Sequence, residues 1–116
     1  LIRERSPQRA VVVGGGYIGL EMVEALLLRG LLVTLVEKLE QPMATLDADM
    51  GERVADGIRR LGADTRFGSG VQRFDAGADG WVRSVTTDHG DLPADLVVMG
   101  LGVKPSTRVI LSALTW

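Results

Sequence analysis

Between Val11 and Glu21 the chain reads Val-Val-Val-Gly-Gly-Gly-Tyr-Ile-Gly-Leu-Glu, an apolar β-branched run that passes through a glycine cluster into a helical pattern. The run suits a strand buried on both faces, and Gly14, Gly16 and Gly19 set a GxGxxG spacing at its exit. Gly14 permits a tight turn out of the strand, and Gly15 continues the loop. Gly16, lacking a Cβ, lets the backbone approach a ligand closely, and Gly19 lets the helix pack near the strand. The N–H groups at the helix start, with the positive end of the helix dipole behind them, suit a pyrophosphate. Glu37 stands 18 residues after Gly19 and closes the next apolar run, where a carboxylate can accept hydrogen bonds from an adenosine ribose. The glycine spacing alone is a weak signal, because such turns also simply join strands to helices. With a strand before it, a helix after it and an acid closing the unit, it has the layout of a dinucleotide-binding turn.

A length of 116 residues, 46% of them hydrophobic and 24% charged, suits one domain with a real core but is small for a complete redox enzyme. Thirteen basic and fifteen acidic side chains leave a net charge of −2, which provides no basic footprint for nucleic acid or an anionic membrane. Cofactor phosphates must therefore be held by local dipoles. The absence of cysteine excludes a disulfide, a thiolate nucleophile and a thiolate metal site from these residues, and a lone histidine, His89, excludes a histidine metal cluster. There is no signal-peptide core and no apolar run of membrane-spanning length, so a cytoplasmic location is expected. The missing initiator methionine and the abrupt end at Leu114-Thr115-Trp116 suggest a piece of a longer protein.

Residues 1 to 9 are polar and read as an incoming linker, residues 10 to 106 as the domain, and residues 107 to 116 as a tail with no assignment. A strand over Ala10 to Val13 leads to a helix over Tyr17 to Arg29, closed by Gly30. Helical spacing puts Tyr17, Glu21, Glu24 and Leu28 on one face, with Ile18, Met22, Ala25 and Leu26 opposite, against the sheet. The mixed face is either a solvated surface or one turned towards another domain. Leu32 to Val36 forms a second strand. After a loop containing Pro42 and Met43, Thr45 or Asp47 caps a helix over Ala48 to Leu61, with Met50, Val54, Ile58 and Leu61 as its apolar stripe. Asp49 near its start and Arg59 and Arg60 near its end complement the dipole. A short strand over Asp64 to Phe67 completes βαβαβ, a Rossmann-like α/β fold with an open parallel sheet.

Beyond Phe67, Val71 to Phe74, Trp81 to Thr87 and a stub near Leu92 are separated by Gly- and Asp-rich turns, and predict an inserted antiparallel meander. His89 belongs to one of those turns and reads as an exposed turn residue, Trp81 as a packing residue. Asp95 to Met99 gives another apolar strand, followed by Gly100-Leu101-Gly102-Val103-Lys104-Pro105. This second glycine-bearing loop is either a plain strand-ending turn or a surface that meets the ligand opposite the first loop.

The wording Val13 to Glu21, then Val33-Thr34-Leu35-Val36-Glu37, then Leu92 to Val98 with Gly100 to Pro105, resembles the NAD(P)-binding domain of the FAD-dependent pyridine nucleotide-disulfide oxidoreductases. Within that family it looks most like the branch of CoA-disulfide reductases, NADH oxidases and NADH peroxidases. The resemblance covers about Ala10 to Ser106. It implies a parent with an FAD domain in the same polypeptide and a C-terminal domain that forms a homodimer. It also implies a nicotinamide that passes a hydride to the flavin, for reduction of a disulfide, peroxide or oxygen.

Carried over residue by residue, the resemblance assigns Gly14, Gly15, Gly16 and Gly19 to the pyrophosphate loop and Glu37 to the ribose. Tyr17 covers the flavin, Ile18 and Glu21 line the nicotinamide half, Val71 lies near the adenine, and Leu101-Gly102 form the facing loop. Ser106 departs from a common asparagine. Glu37 would repel a 2′-phosphate and so favours NADH over NADPH, with Lys38 beside it as the counter-argument. FAD is expected only in the full-length parent, and the isolated chain is expected to be inactive. The other function class is a stand-alone nucleotide-binding or sensing module, for S-adenosylmethionine or an adenine nucleotide, built on the same turn.

Overall fold

Alternation along β1 (Arg9–Val13) decides the layering of the domain. Ala10 and Val12 face one hydrophobic core, whereas Val11 and Val13 face another, so a strand with no polar side belongs in the middle of a sheet. The protein is described by a computed structural model that covers residues 7–40, 48–100 and 109–111. β1 is followed by α1 (Tyr17–Leu28), β2 (Leu32–Glu37), α2 (Ala48–Arg60) and β3 (Asp64–Phe67). Next come β4 (Val71–Ala76), β5 (Val82–Thr87), β6 (Gly90–Pro93), β7 (Leu96–Gly100) and β8 (Val109–Leu111).

The main sheet has the order β3-β2-β1-β7-β8, in which the first four strands run parallel and β8 pairs antiparallel with β7. β4, β5 and β6 form a separate antiparallel sheet. The two cores lie on opposite faces of the main sheet. On one, Val12, Leu35 and Val98 meet Val23 and Leu26 of α1 and Ile58 of α2; on the other, Val11, Val36 and Val97 meet Val82 and Val85 of the meander. The meander therefore covers the face that helices α1 and α2 leave open. Leu26, Leu35 and Val98 are among the side chains with essentially no exposure, and each such burial contributes about 1.5–3 kcal/mol.

The strand bounds match the periodicity closely and α1 keeps its expected outer face, but α1 differs inward at Ala25 and α2 departs from the expected stripe at both ends. In α1 the buried residues are Gly19, Val23 and Leu26, with Leu20, Met22 and Leu27 flanking them, and Ala25 is exposed. Glu21 and Glu24 mark the outer side of the helix, and the close approach of Gly19 to the Gly14 carbonyl draws Gly19 and Val23 inward in place of Ala25. In α2, Met50 and Leu61 are exposed, and Gly51, Ala55 and Ile58 are buried, with Val54 half-buried. Small residues permit that closer approach to the sheet, and Leu61 lies in the turn beyond the helix end. Arg59 donates to Thr65 Oγ1 at 2.8 Å and stacks over Phe67, which anchors α2 to β3.

The tail given no assignment contributes β8. Pro42, Met43 and the capping candidates Thr45 and Asp47 lie outside the described residues. At the other end of the sheet Asp95 Oδ2 accepts hydrogen bonds from the Gln8 and Arg9 N–H groups, clasping the start of β1 to β7.

Candidate dinucleotide site

Register brings three strand exits together. Val13 pairs with Val36 on one side and Met99 on the other, so Gly14, Glu37 and Gly100 leave the sheet at one edge. In a parallel sheet this carboxyl-terminal edge is where ligands bind. The Gly14 N–H donates to the Val36 carbonyl at 2.8 Å. One residue on, the Gly15 N–H donates to Glu37 Oε1 at 2.7 Å, while Glu37 Oε2 accepts the Leu39 N–H at 2.9 Å. The Ser69 N–H donates to the Glu37 carbonyl at 3.1 Å, which ties the exit of β3 to the same point.

The glycines of the loop differ in what holds them. Gly14 has φ +104°, and a Cβ there would lie 2.5 Å from the Gly100 carbonyl oxygen. A Cβ on Gly19 would strike the Gly14 carbonyl oxygen. Gly16, the N-cap of α1, has ordinary extended backbone, and a Cβ there would meet nothing among the described residues within 4 Å. Open space thus lies in front of a helix start whose first N–H groups have no intrahelical acceptor and no side-chain cap. Unpaired N–H groups at a helix start favour an anion by charge.

Beside the loop, a cleft of about 560 Å³ opens between the sheet edge and the meander. Val13, Gly14, Glu37, Lys38 and Gly100 line one wall, and Val71, Gln72, Arg73 and Phe74 the other. Asp88 closes its rim, accepting the Gly70 N–H and the Gln72 amide at 2.9 Å each. Those two bonds, the Gln72 one foremost, hold the Asp88 carboxyl below the usual carboxylate range. His89, in the adjoining turn, is exposed and has its Nδ1 3.2 Å from Ser69 Oγ.

A matching sequence profile decides the family: that of the pyridine nucleotide-disulphide oxidoreductases aligns with residues 1–115. The chain belongs to this family. It is 36% identical over 109 residues to an NADH oxidase of Enterococcus faecalis, covering 93% of this chain and 24% of that protein. It is 42% identical over 107 residues to the rhodocoxin reductase of Rhodococcus erythropolis, covering 90% of this chain and 24% of that one. Among solved structures, the water-forming NADH oxidase from Lactobacillus brevis bound to NADH superimposes with a TM-score of 0.78 at 29% identity, over 90% of this chain and 24% of its own. The chain thus spans about a quarter of the length of these relatives.

Within this oxidoreductase segment the expected site residues do not all gather at the cleft, since Gly16 and Gly19 stay with the start of α1. Gly14, Glu37, Lys38, Val71 and Gly100 line the cleft, with Gly15 buried beside them. Tyr17 and Glu21 stand exposed on the outer face of α1 with Glu24 and Leu28, as the helical spacing predicts, and Ile18 is half-buried. The Tyr17 hydroxyl is hydrogen-bonded to Glu21, and that bond together with the Glu21 charge raises the phenol above its ordinary value. Leu101 and Gly102 lie outside the described residues. Gln72, Arg73 and Asp88 escaped sequence reasoning, since only the pairing of Val71 with Thr87 carries Asp88 to the cleft rim beside Gly70. No helix among the described residues is long and apolar enough to cross a membrane.

Proposed function

We infer that this chain is the NADH-binding domain of a flavin-dependent oxidoreductase, and that it positions a nicotinamide against FAD held by another domain of the same polypeptide. The observation that carries this reading is the joined placement of Glu37 and the glycine loop beside open space at Gly16. The names of two similar proteins, an NADH oxidase and a structure bound to NADH, support the choice of cofactor.

N–H groups at the start of α1 hold the pyrophosphate. Each Glu37 carboxylate oxygen accepts one backbone N–H and retains lone-pair capacity for the ribose hydroxyls. The negative charge of Glu37 opposes a 2′-phosphate, and Val71 offers an apolar surface to the adenine. Tyr17 and Glu21, off the cleft and on the outer face of α1, mark the side towards the flavin. The dinucleotide held here would supply a hydride to the flavin, and the two electrons would go on to a disulfide, peroxide or oxygen at residues outside these 116.

Titration of the protein with NADH and NADPH, followed by nicotinamide fluorescence, tests the reading. NADH is expected to bind about tenfold more tightly, one repulsive contact's worth. Tighter binding of NADPH would overturn the assignment. The 116 residues alone are expected to show no flavin absorbance and no reductase turnover.

A further inference from the structure

Glu37 does more in this structure than stand ready for a ribose. Both its carboxylate oxygens already accept backbone N–H groups, and one of these comes from the middle of the glycine loop, 22 residues away in sequence. The loop is fastened to the exit of β2 at two successive residues, Gly14 through the Val36 carbonyl and Gly15 through the Glu37 side chain. Gly15 is buried with the carboxylate in place, and that carboxylate is the acceptor its N–H uses, so removing it frees the N–H for exchange. Gly16, the residue that must leave room for a phosphate, follows directly.

We propose that Glu37 is a positioning residue for the phosphate loop: through the Gly15 N–H it sets the backbone that cradles the pyrophosphate, in addition to accepting the ribose hydroxyls. This rests on the cofactor reading above. A carboxylate acting only on the ribose affects ligands that carry the ribose diol; one that also shapes the loop affects phosphate binding without it. The two recognition events are then coupled through one side chain.

The test compares ADP with 2′,3′-dideoxy-ADP, binding each to the wild-type protein and to Glu37→Ala by calorimetry. Hydrogen exchange at the Gly15, Val12 and Leu35 amides is followed by NMR without ligand. Glu37→Ala is expected to weaken dideoxy-ADP by about tenfold, the worth of a charge-assisted hydrogen bond. Gly15 exchange is expected to accelerate selectively, which a general loss of stability would not produce. Unchanged affinity for dideoxy-ADP in the folded variant overturns the proposal, as does acceleration at Val12 and Leu35 equal to that at Gly15. If the alanine variant does not fold, Glu37→Leu, which keeps bulk at the position and carries no acceptor for the Gly15 N–H, is held to the same two readouts. If wild-type protein binds neither nucleotide, the cofactor reading fails, and selective exchange at Gly15 alone then decides whether Glu37 fastens the loop.

Discussion

Gly14 and Gly100 touch back to back: the position a Cβ would occupy on Gly14 lies 2.5 Å from the Gly100 carbonyl oxygen, with φ at Gly14 of +104°. The atom struck is backbone and the Cβ position is fixed by the backbone, so no rotamer change relieves the clash. Gly14→Ala is therefore expected to destabilise the fold by about 3 kcal/mol or more, from left-handed strain and overpacking together. Urea denaturation checks this, and a loss below about 1 kcal/mol would contradict the contact.

Gly16→Ala is the contrasting case. Its backbone is ordinary and the space before it is open, so the stability loss should stay within about 1 kcal/mol, the scale of an N-cap change. Affinity for NADH is nevertheless expected to fall, because the new methyl group occupies the place assigned to the phosphate. Equal NADH affinity in the two proteins would remove the phosphate from that position.

The outline of the site was legible because glycines punctuate it. Val13-Gly14-Gly15-Gly16 announces a strand exit in any context, and Glu37 sits at the end of an apolar run that reads as a strand. What could not be read depends on register and on packing depth. Nothing local to Gly100 shows that it lies against Gly14 and Gly19, since that follows from β7 crossing to the far side of β1. The bond from Gly15 to Glu37 likewise needs β1 and β2 aligned residue by residue. The α2 face was legible only in part: Ile58 is buried as its spacing predicts, but at Met50 and Leu61 the stripe turns outward and the sheet takes the smaller Gly51 and Ala55.

Asp88 gives the cleft rim an acid limit. The Gln72 amide first, and then the Gly70 N–H, depress its folded-state pKa below the ordinary 3.8. A depressed carboxyl contributes stability that is present above the unfolded value and is lost as pH falls through the folded one. Asp88→Asn, which removes the charge and one acceptor, is expected to lower Tm at about pH 7, and the gap to wild type should close as pH falls below about 4. A gap that stays constant across this range would show that the carboxylate charge has no part in holding Gly70 and Gln72.

Tyr17 is the single tyrosine of the chain, so its phenolate absorbance reports one site. The hydrogen bond to Glu21 is the larger cause of its raised pKa and the Glu21 charge the next, with both favouring the protonated phenol over the ordinary value of 10.0. By sign, a raised folded-state pKa contributes stability that is complete below the unfolded value and disappears as pH rises through the folded one. Glu21→Gln retains a carbonyl acceptor and removes the charge; Glu21→Ala removes both. Spectroscopic titration should therefore order the phenol pKa as wild type, then Glu21→Gln, then Glu21→Ala, with the alanine variant nearest the ordinary value. If the three titrate alike, the pair is not formed in solution and Glu21 does not orient the ring on the outer face of α1. An order with glutamine at or below alanine would instead make charge, not the hydrogen bond, the dominant cause.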